Sequence, residues 1–357
     1  MHWVWSFSAF GISLLVGSGL LPLAIRFARR YDLMDRPSRH KRHKRPVPIL
    51  GGAAMFISVW VSVGVSSALF PDSLGSLPAS VPYVFSGALI VFLVGLSDDL
   101  SPVSAWVKLL AQVGAGLILC LGGLRIEPLT VPFVGAVSLG PFSILVTVLW
   151  VVGLSNAVNL IDGLDGLAAG VSLIGALTLA VIGNLMGIGS VVSLAMVLVG
   201  FLTVFLYYNR YPARIFLGDS GALQLGYYFA VISLLVPIRI FTAAALYLPL
   251  LTLGVPLLET AVSISRRLAT GRSVMRADRR HLFHYLSLAG LSPRTVVIVF
   301  YILSVVFGLF AVAMIYWNRR WLFAILFLFM VVILSAFYIL ITNLHRFRKG
   351  NADQRPV

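Results

Sequence analysis

The stretch FSILVTVLWVVGLSNAVNLIDGLDG, residues 142–166, decides the fold. From Phe142 to Val158 it carries no charge, and that is about the 17–25 residues an α-helix needs to cross a bilayer core. The run then opens onto Asn156, Asn159, Asp162 and Asp165, spaced by three, with Gly163 and Gly166 between and after the acids. An ionisable side chain at membrane depth costs about 2.5–3.5 kcal/mol even on lenient insertion scales, so acids placed there are functional candidates by default. Two further apolar runs end in the same way, at Asp98-Asp99 and at Phe216-Leu-Gly-Asp219-Ser-Gly221. The three places together hold five of the chain's twelve carboxylates.

Outward from this stretch the pattern repeats. The chain is 59% hydrophobic and 11% charged, with a mean hydropathy of +0.99 over 357 residues. This predicts an all-α, polytopic membrane protein with about eleven spans, near 3–27, 50–70, 82–97, 103–121, 142–158, 167–184, 190–208, 220–236, 241–265, 293–317 and 321–344. A barrel would need alternating segments of about ten residues, and none occurs. No segment between spans is long enough to fold alone, so residues 1–357 read as a single membrane domain. No internal repeat is visible, which argues against a transporter built from duplicated halves. Loop 122–141 reads as a short hairpin and 273–288 as an interfacial helix.

Net charge is +15, concentrated in two segments: nine Lys/Arg lie between Arg26 and Arg45 and seven between Arg266 and Arg294. By the positive-inside rule both face the cytoplasm, which puts the N-terminus outside and the C-terminus in the cytoplasm. The first span then reads as an anchor rather than a cleaved signal peptide. Basic loops of this kind also contact anionic membrane lipids. No recognition module accompanies the charge, so nucleic acid is not an expected partner. The lone Cys120 excludes an intrachain disulfide and a cysteine metal site. Under this topology all three acidic clusters and both basic loops converge on the cytoplasmic face.

Adjacent carboxylates such as Asp98-Asp99 repel and need a neutralising partner. Mg2+ meets that need where phosphates bind, since it takes one or two carboxylates plus substrate oxygens; a solvated helix end or a cap for the next span is the plainer alternative. Asn156, Asn159, Asp162 and Asp165 fan across one side of a helix, or eclipse in a 3₁₀ turn, unless they simply cap and turn the chain. Asp219 opens a span, where it caps the helix or shares the helix N-terminus with phosphate. Phe216 suits a flat base or an interfacial anchor. Lys108, inside a span, must meet phosphate or the acids. His281 and His284 share a face at i and i+3. Carboxylates, a lysine, Mg2+ and a helix N-terminus describe electrostatic support for phosphoryl transfer.

These residues resemble the polyprenyl-phosphate N-acetylhexosamine-1-phosphate transferases. The likeness runs in order through Asp35-Arg-Pro, Arg39-His-Lys, Arg45-Pro-Val-Pro-Ile-Leu-Gly51-Gly52, Asp98-Asp99-Leu-Ser-Pro, Lys108-Leu-Leu-Ala-Gln112, Asn156 to Ala168, Tyr208-Asn209, Pro212 to Gly221 and Asp278-Arg-Arg-His281-Leu-Phe-His284. The resemblance implies transfer of N-acetylhexosamine 1-phosphate, with GlcNAc favoured, from a UDP-sugar to undecaprenyl phosphate, giving undecaprenyl-pyrophosphoryl-sugar and UMP. It implies a bacterial inner-membrane enzyme that starts wall or surface polysaccharides, with its active site in the cytoplasm and a homodimeric assembly. Its cofactor would be Mg2+, with Mn2+ as a substitute.

Carried over residue by residue, Asp219 and Asn159 become metal ligands, and Asp98 and Asp99 the catalytic carboxylates. Lys108 becomes the pyrophosphate contact and His281/His284 the sugar-phosphate contact. Asp162, Asp165, Phe216, Asn209 and Lys44 become substrate contacts, with Phe216 stacked on uracil and Asp162 and Asp165 meeting either the nucleotide or the shell of the metal. Four positions depart from the family: Phe283 replaces a histidine, Tyr285 stands where Arg is common, Ala222 where Ser is usual, and Glu259 where Asp is usual. The chain lacks the Pro-Ile-His-His-His stretch of the phospho-N-acetylmuramoyl-pentapeptide transferases, the nearest alternative. A cation-coupled transporter, the remote one, would carry its acids in mid-span.

Overall fold

A computed structural model describes residues 2–37, 45–70, 79–127, 129–131, 135–236, 251–269 and 281–316, with scattered positions from 324 to 335. Eleven helices are described: α1 (His2–Arg30), α2 (Gly51–Leu69), α3 (Val81–Leu100), α4 (Ala105–Leu121), α5 (Phe142–Ile161), α6 (Leu167–Leu185), α7 (Gly189–Asn209), α8 (Gly218–Leu234), α9 (Gly254–Ala269), the short α10 (Leu282–Leu288) and α11 (Pro293–Tyr316). Seven of these, α1, α2, α3, α5, α6, α7 and α11, are long and apolar enough to cross a membrane. The chain is a polytopic helical membrane protein. Span 321–344 lies largely outside the described residues, as do the first part of span 241–265 and the first half of the interfacial helix expected at 273–288, whose second half holds α10.

The only strands among the described residues are two small antiparallel pairs. β1 (Met34–Asp35) pairs with β2 (Val47–Pro48), and β3 (Leu129–Val131) with β4 (Gly135–Val137) inside the loop read as a hairpin. Local chemistry marks the helix ends. Pro82 lies in the first turn of α3, where its missing N–H costs nothing. The Ser104 hydroxyl accepts from Trp106 N–H to cap α4. Gly166, in the left-handed region at φ 79°, turns the chain into α6.

The core is built around α8. Every residue from Ser220 to Ser233 is buried, the mark of a helix enclosed on all sides. Helices α2, α3 and α5 pack on it, α4 bridges α3 and α5, and α1, α2 and α6 surround α7. Between helices in lipid, close approach through small residues replaces hydrophobic drive. A Cβ on Gly95 of α3 would lie 2.5 Å from the Ser220 Cα, and one on Gly226 of α8 would lie 2.3 Å from the Leu154 carbonyl oxygen of α5. Hydrogen bonds add to the packing. The Tyr227 hydroxyl donates to the Val84 carbonyl at 2.9 Å, and the Gln224 amide donates to the Gly52 carbonyl at 3.3 Å.

This arrangement positions the site. Helices α3, α5 and α7 end, and α6, α8 and α11 begin, around one cavity.

Candidate active site

The cavity has a volume of about 1120 Å³, and all five acids of the three clusters line it: Asp98, Asp99, Asp162, Asp165 and Asp219. Phe216, Asn209 and His284 line it as well. Lys108, Asn159 and His281 stand behind its wall, and Lys44 lies outside the described residues.

Successive residues on a helix point about 100° apart, and this separates Asp98 from Asp99. Asp98 turns to the start of α4. Its Oδ1 accepts from Val103 N–H at 2.7 Å and its Oδ2 from Lys108 Nζ at 2.6 Å. Asp99 turns to the start of α8, where its two oxygens accept from Asp219 N–H at 2.7 Å and Ser220 N–H at 3.1 Å. The pair is therefore not one doubly charged unit awaiting a shared cation. A lysine neutralises one carboxylate, and the open amides and dipole of a helix N-terminus hold the other.

Lys108 also binds Asp219 Oδ2 at 2.5 Å, and the Asn159 amide donates to that same oxygen at 3.3 Å. One ammonium thus spans the ends of α3 and α8. Of the two partners open to it in the sequence, phosphate or the acids, it meets the acids.

The register of three does not persist. α5 stays helical through Ile161, so Asn156 and Asn159 sit one turn apart on one side of it, yet each meets a different helix. Asn156 donates to Gln112 Oε1 at 2.7 Å on α4, while Asn159 reaches Asp219. The chain then turns. Asp162 enters the cavity, and Asp165 Oδ2 accepts from Ala213 N–H at 2.9 Å. Asn209 is only 4% exposed. Its Oδ1 accepts from Gly166 N–H at 2.9 Å and its amide donates to the Ile215 carbonyl at 2.8 Å. Asp165 and Asn209, expected as substrate contacts, thus also tie the 162–166 turn to loop 210–217. Burial, reinforced by the charges of Asp219, Asp99 and Asp165, pushes the Asp162 carboxyl up to about 7.

Phe216 is held at the cavity by its backbone, which donates to the Pro48 carbonyl at 2.8 Å and accepts from Gly51 N–H at 3.1 Å. The histidines divide. His281 Nδ1 meets Glu259 Oε1 at 2.9 Å, and the Glu259 oxygens also accept from Leu282 N–H at 3.2 and 3.0 Å. His284 faces the cavity with its ring centroid 5.9 Å from that of His281. Phe283, the replaced histidine, is buried with its ring against Gly163 of the site turn, where a Cβ would lie 2.3 Å from it. Its aromatic bulk closes the wall at that point.

Sequence reading missed three features. Glu259 was legible only as an acid within a span; its buried partnership with His281 was not. The group Tyr207, Arg210, Tyr211, Arg214 and Arg294 was not singled out as part of the site. In the fold these five line the cavity's edge, with Arg210 over the Tyr207 ring at 5.0 Å and Arg294 over the Tyr211 ring at 5.3 Å. Tyr301 of α11, which carried no signal, reaches the Gly166 carbonyl at 2.6 Å.

Residues 81–237, which contain five of the six acids lining the cavity (Asp35 is the sixth), match the model of glycosyl transferase family 4. Over 329 residues, 91% of this chain and 90% of the relative, the chain is 36% identical to a probable undecaprenyl-phosphate N-acetylglucosaminyl 1-phosphate transferase of Bacillus subtilis. It is 32% identical over 317 residues to a decaprenyl-phosphate N-acetylglucosaminephosphotransferase of Mycobacterium leprae, covering 82% of this chain and 79% of the relative. A phospho-N-acetylmuramoyl-pentapeptide-transferase of Moorella thermoacetica is 33% identical over 314 residues, 84% of this chain and 93% of the relative.

Proposed function

The chain belongs to glycosyl transferase family 4, and on that premise we propose that it transfers N-acetylglucosamine 1-phosphate from UDP-N-acetylglucosamine to undecaprenyl phosphate. The observation that carries this reading is the convergence of five acids and a lysine at helix ends around one cavity. An ion path would instead string its acids through mid-span. The site would open to the cytoplasm across a bacterial inner membrane, since the basic segments that flank it are topology signals.

In the reaction a phosphate oxygen of the lipid forms a bond to the sugar-bearing phosphorus of the donor. The bond from that phosphorus to the bridging oxygen breaks, and UMP leaves. The second pKa of a phosphate monoester is about 6, so the lipid phosphate is already a nucleophile at neutral pH and needs no general base. Positioning and charge are what the protein must supply. Phe216 stacks on the uracil, and the 162–166 turn meets the nucleotide. Lys108 holds Asp98 and Asp219 in place, so that Asp98 orients the lipid phosphate, while His284 meets the sugar phosphate.

Among the described residues no three acids or histidines form a metal cage. The hard oxygens of Asp219, at the cavity wall, and of Asn159 beside it nevertheless suit Mg2+, which completes its shell with water and substrate. Those two residues would hold the ion, and when bound it would neutralise charge developing on the diphosphate. Incubation of the purified chain with radiolabelled UDP-N-acetylglucosamine, undecaprenyl phosphate and Mg2+ tests the reading. Lipid-linked sugar and UMP in equal amounts are expected, with loss on chelation. Product from UDP-N-acetylmuramoyl-pentapeptide alone, or from no UDP-sugar, would overturn it.

A further inference from the structure

The turn 162–166 is held from three directions. Asn209 Oδ1 accepts from Gly166 N–H at 2.9 Å, Asp165 Oδ2 accepts from Ala213 N–H at 2.9 Å, and the Tyr301 hydroxyl donates to the Gly166 carbonyl at 2.6 Å. The first two partners belong to the end of α7 and the loop after it, only a few residues apart. Tyr301 is different, because it comes from α11, which packs along α6. Its carbonyl acceptor already closes the first turn of α6, taking the Gly170 N–H at 2.9 Å. A left-handed glycine is the most pliable point of a chain, so a second bond on its carbonyl fixes the direction in which the turn enters the cavity.

The packing is shaped to admit that bond. A Cβ on Gly170 would lie 2.0 Å from the Tyr301 hydroxyl oxygen, so α6 leaves a slot one side chain wide where the phenol lies. The ring lines the cavity together with Val297 and Ile298 of α11 and with Asp162 and Leu164 of the turn. We propose that Tyr301 is a positioning residue for the nucleotide donor: its hydroxyl pins Gly166 and so sets the turn that carries Asp162 and Asp165 against the bound UDP moiety. This rests on the reading of that turn as part of the donor site.

The test compares wild type with Tyr301→Phe, which removes only the hydroxyl, and with Gly170→Ala, which fills the slot. One neutral hydrogen bond is worth about 1 kcal/mol, close to a fivefold change in affinity. Both variants should raise the KM for UDP-N-acetylglucosamine and the Kd for UDP by about that factor or more. The kcat and the KM for undecaprenyl phosphate should stay within about twofold. Amide exchange over residues 162–168 should quicken, with exchange elsewhere on α6 and α11 unchanged. A role in stability alone would instead lower the unfolding midpoint and leave the two KM values in proportion. That result, or unchanged donor affinity and exchange in Tyr301→Phe, overturns the proposal. Absence of transfer by wild type would refute the proposed reaction, while UDP affinity and amide exchange would still decide the role of Tyr301.

Discussion

Asp98 and Asp99 are neighbours in sequence and face different chemistry. Asp98 answers to the Lys108 ammonium at the cavity, whereas Asp99 accepts two backbone N–H groups at the start of α8. An Asp98→Asn variant should lose activity, by about 100-fold if its role is electrostatic positioning, with its unfolding midpoint held. Asp99→Asn presents an amide to one of two N–H donors and should cost about 1–3 kcal/mol of stability, read as a lower midpoint in detergent. Asp162 adds a pH dependence. Its carboxyl titrates near 7 in the fold against 3.8 when unperturbed, so between those values the folded chain binds the extra proton. Stability is greatest at low pH in this window and falls as pH rises through about 7. Without divalent cations, the midpoint should fall from pH 5 to pH 8, and Asp162→Asn should flatten that slope. At this scale the sequence marked acids that the fold brings to one cavity, but could not tell which of them meets a lysine and which caps a helix. The difference lies in which helix opens opposite each residue, and that helix is about 120 positions away in the chain.

At the scale of elements, α8 is the part on which the site depends. Its first turn carries Asp219, and its buried length is gripped by α2, α3 and α5. Gly95 and Gly226 set those distances. An added methyl must push backbone rather than a flexible side chain, and overpacking of this kind costs about 1–3 kcal/mol. Gly95→Ala and Gly226→Ala should lower the midpoint by that amount. Gly95→Ala should also reduce turnover more, because Ser220 lies next to Asp219 while Gly226 contacts α5 away from the cavity. Thermal unfolding and initial rates on the same preparations check both. The helices were legible from hydropathy alone, since lipid demands long apolar runs with every backbone group satisfied internally. Which of them is central was not legible, because a 17-residue helix enclosed by protein has much the same composition as one facing lipid.

For the whole molecule, the cavity joins residues from α3, the 162–166 turn, the loop before α8, and α11. A ligand that fills it should bind the assembled bundle and not the unfolded chain. UDP-N-acetylglucosamine with Mg2+ at 100 times its Kd should add about 2.7 kcal/mol of stability, seen as a raised midpoint that Asp219→Asn abolishes. The chain by itself determined its class as a polytopic helical membrane protein and its family, because membrane insertion and family likeness are both written in local patterns. Tertiary structure alone decided that Lys108 joins Asp98 to Asp219, that Asp99 caps α8, that Glu259 holds His281, and that Tyr301 reaches Gly166. Each of these pairs residues remote in sequence across helices whose mutual rotation is fixed by packing, and packing leaves no periodic trace in any one of them.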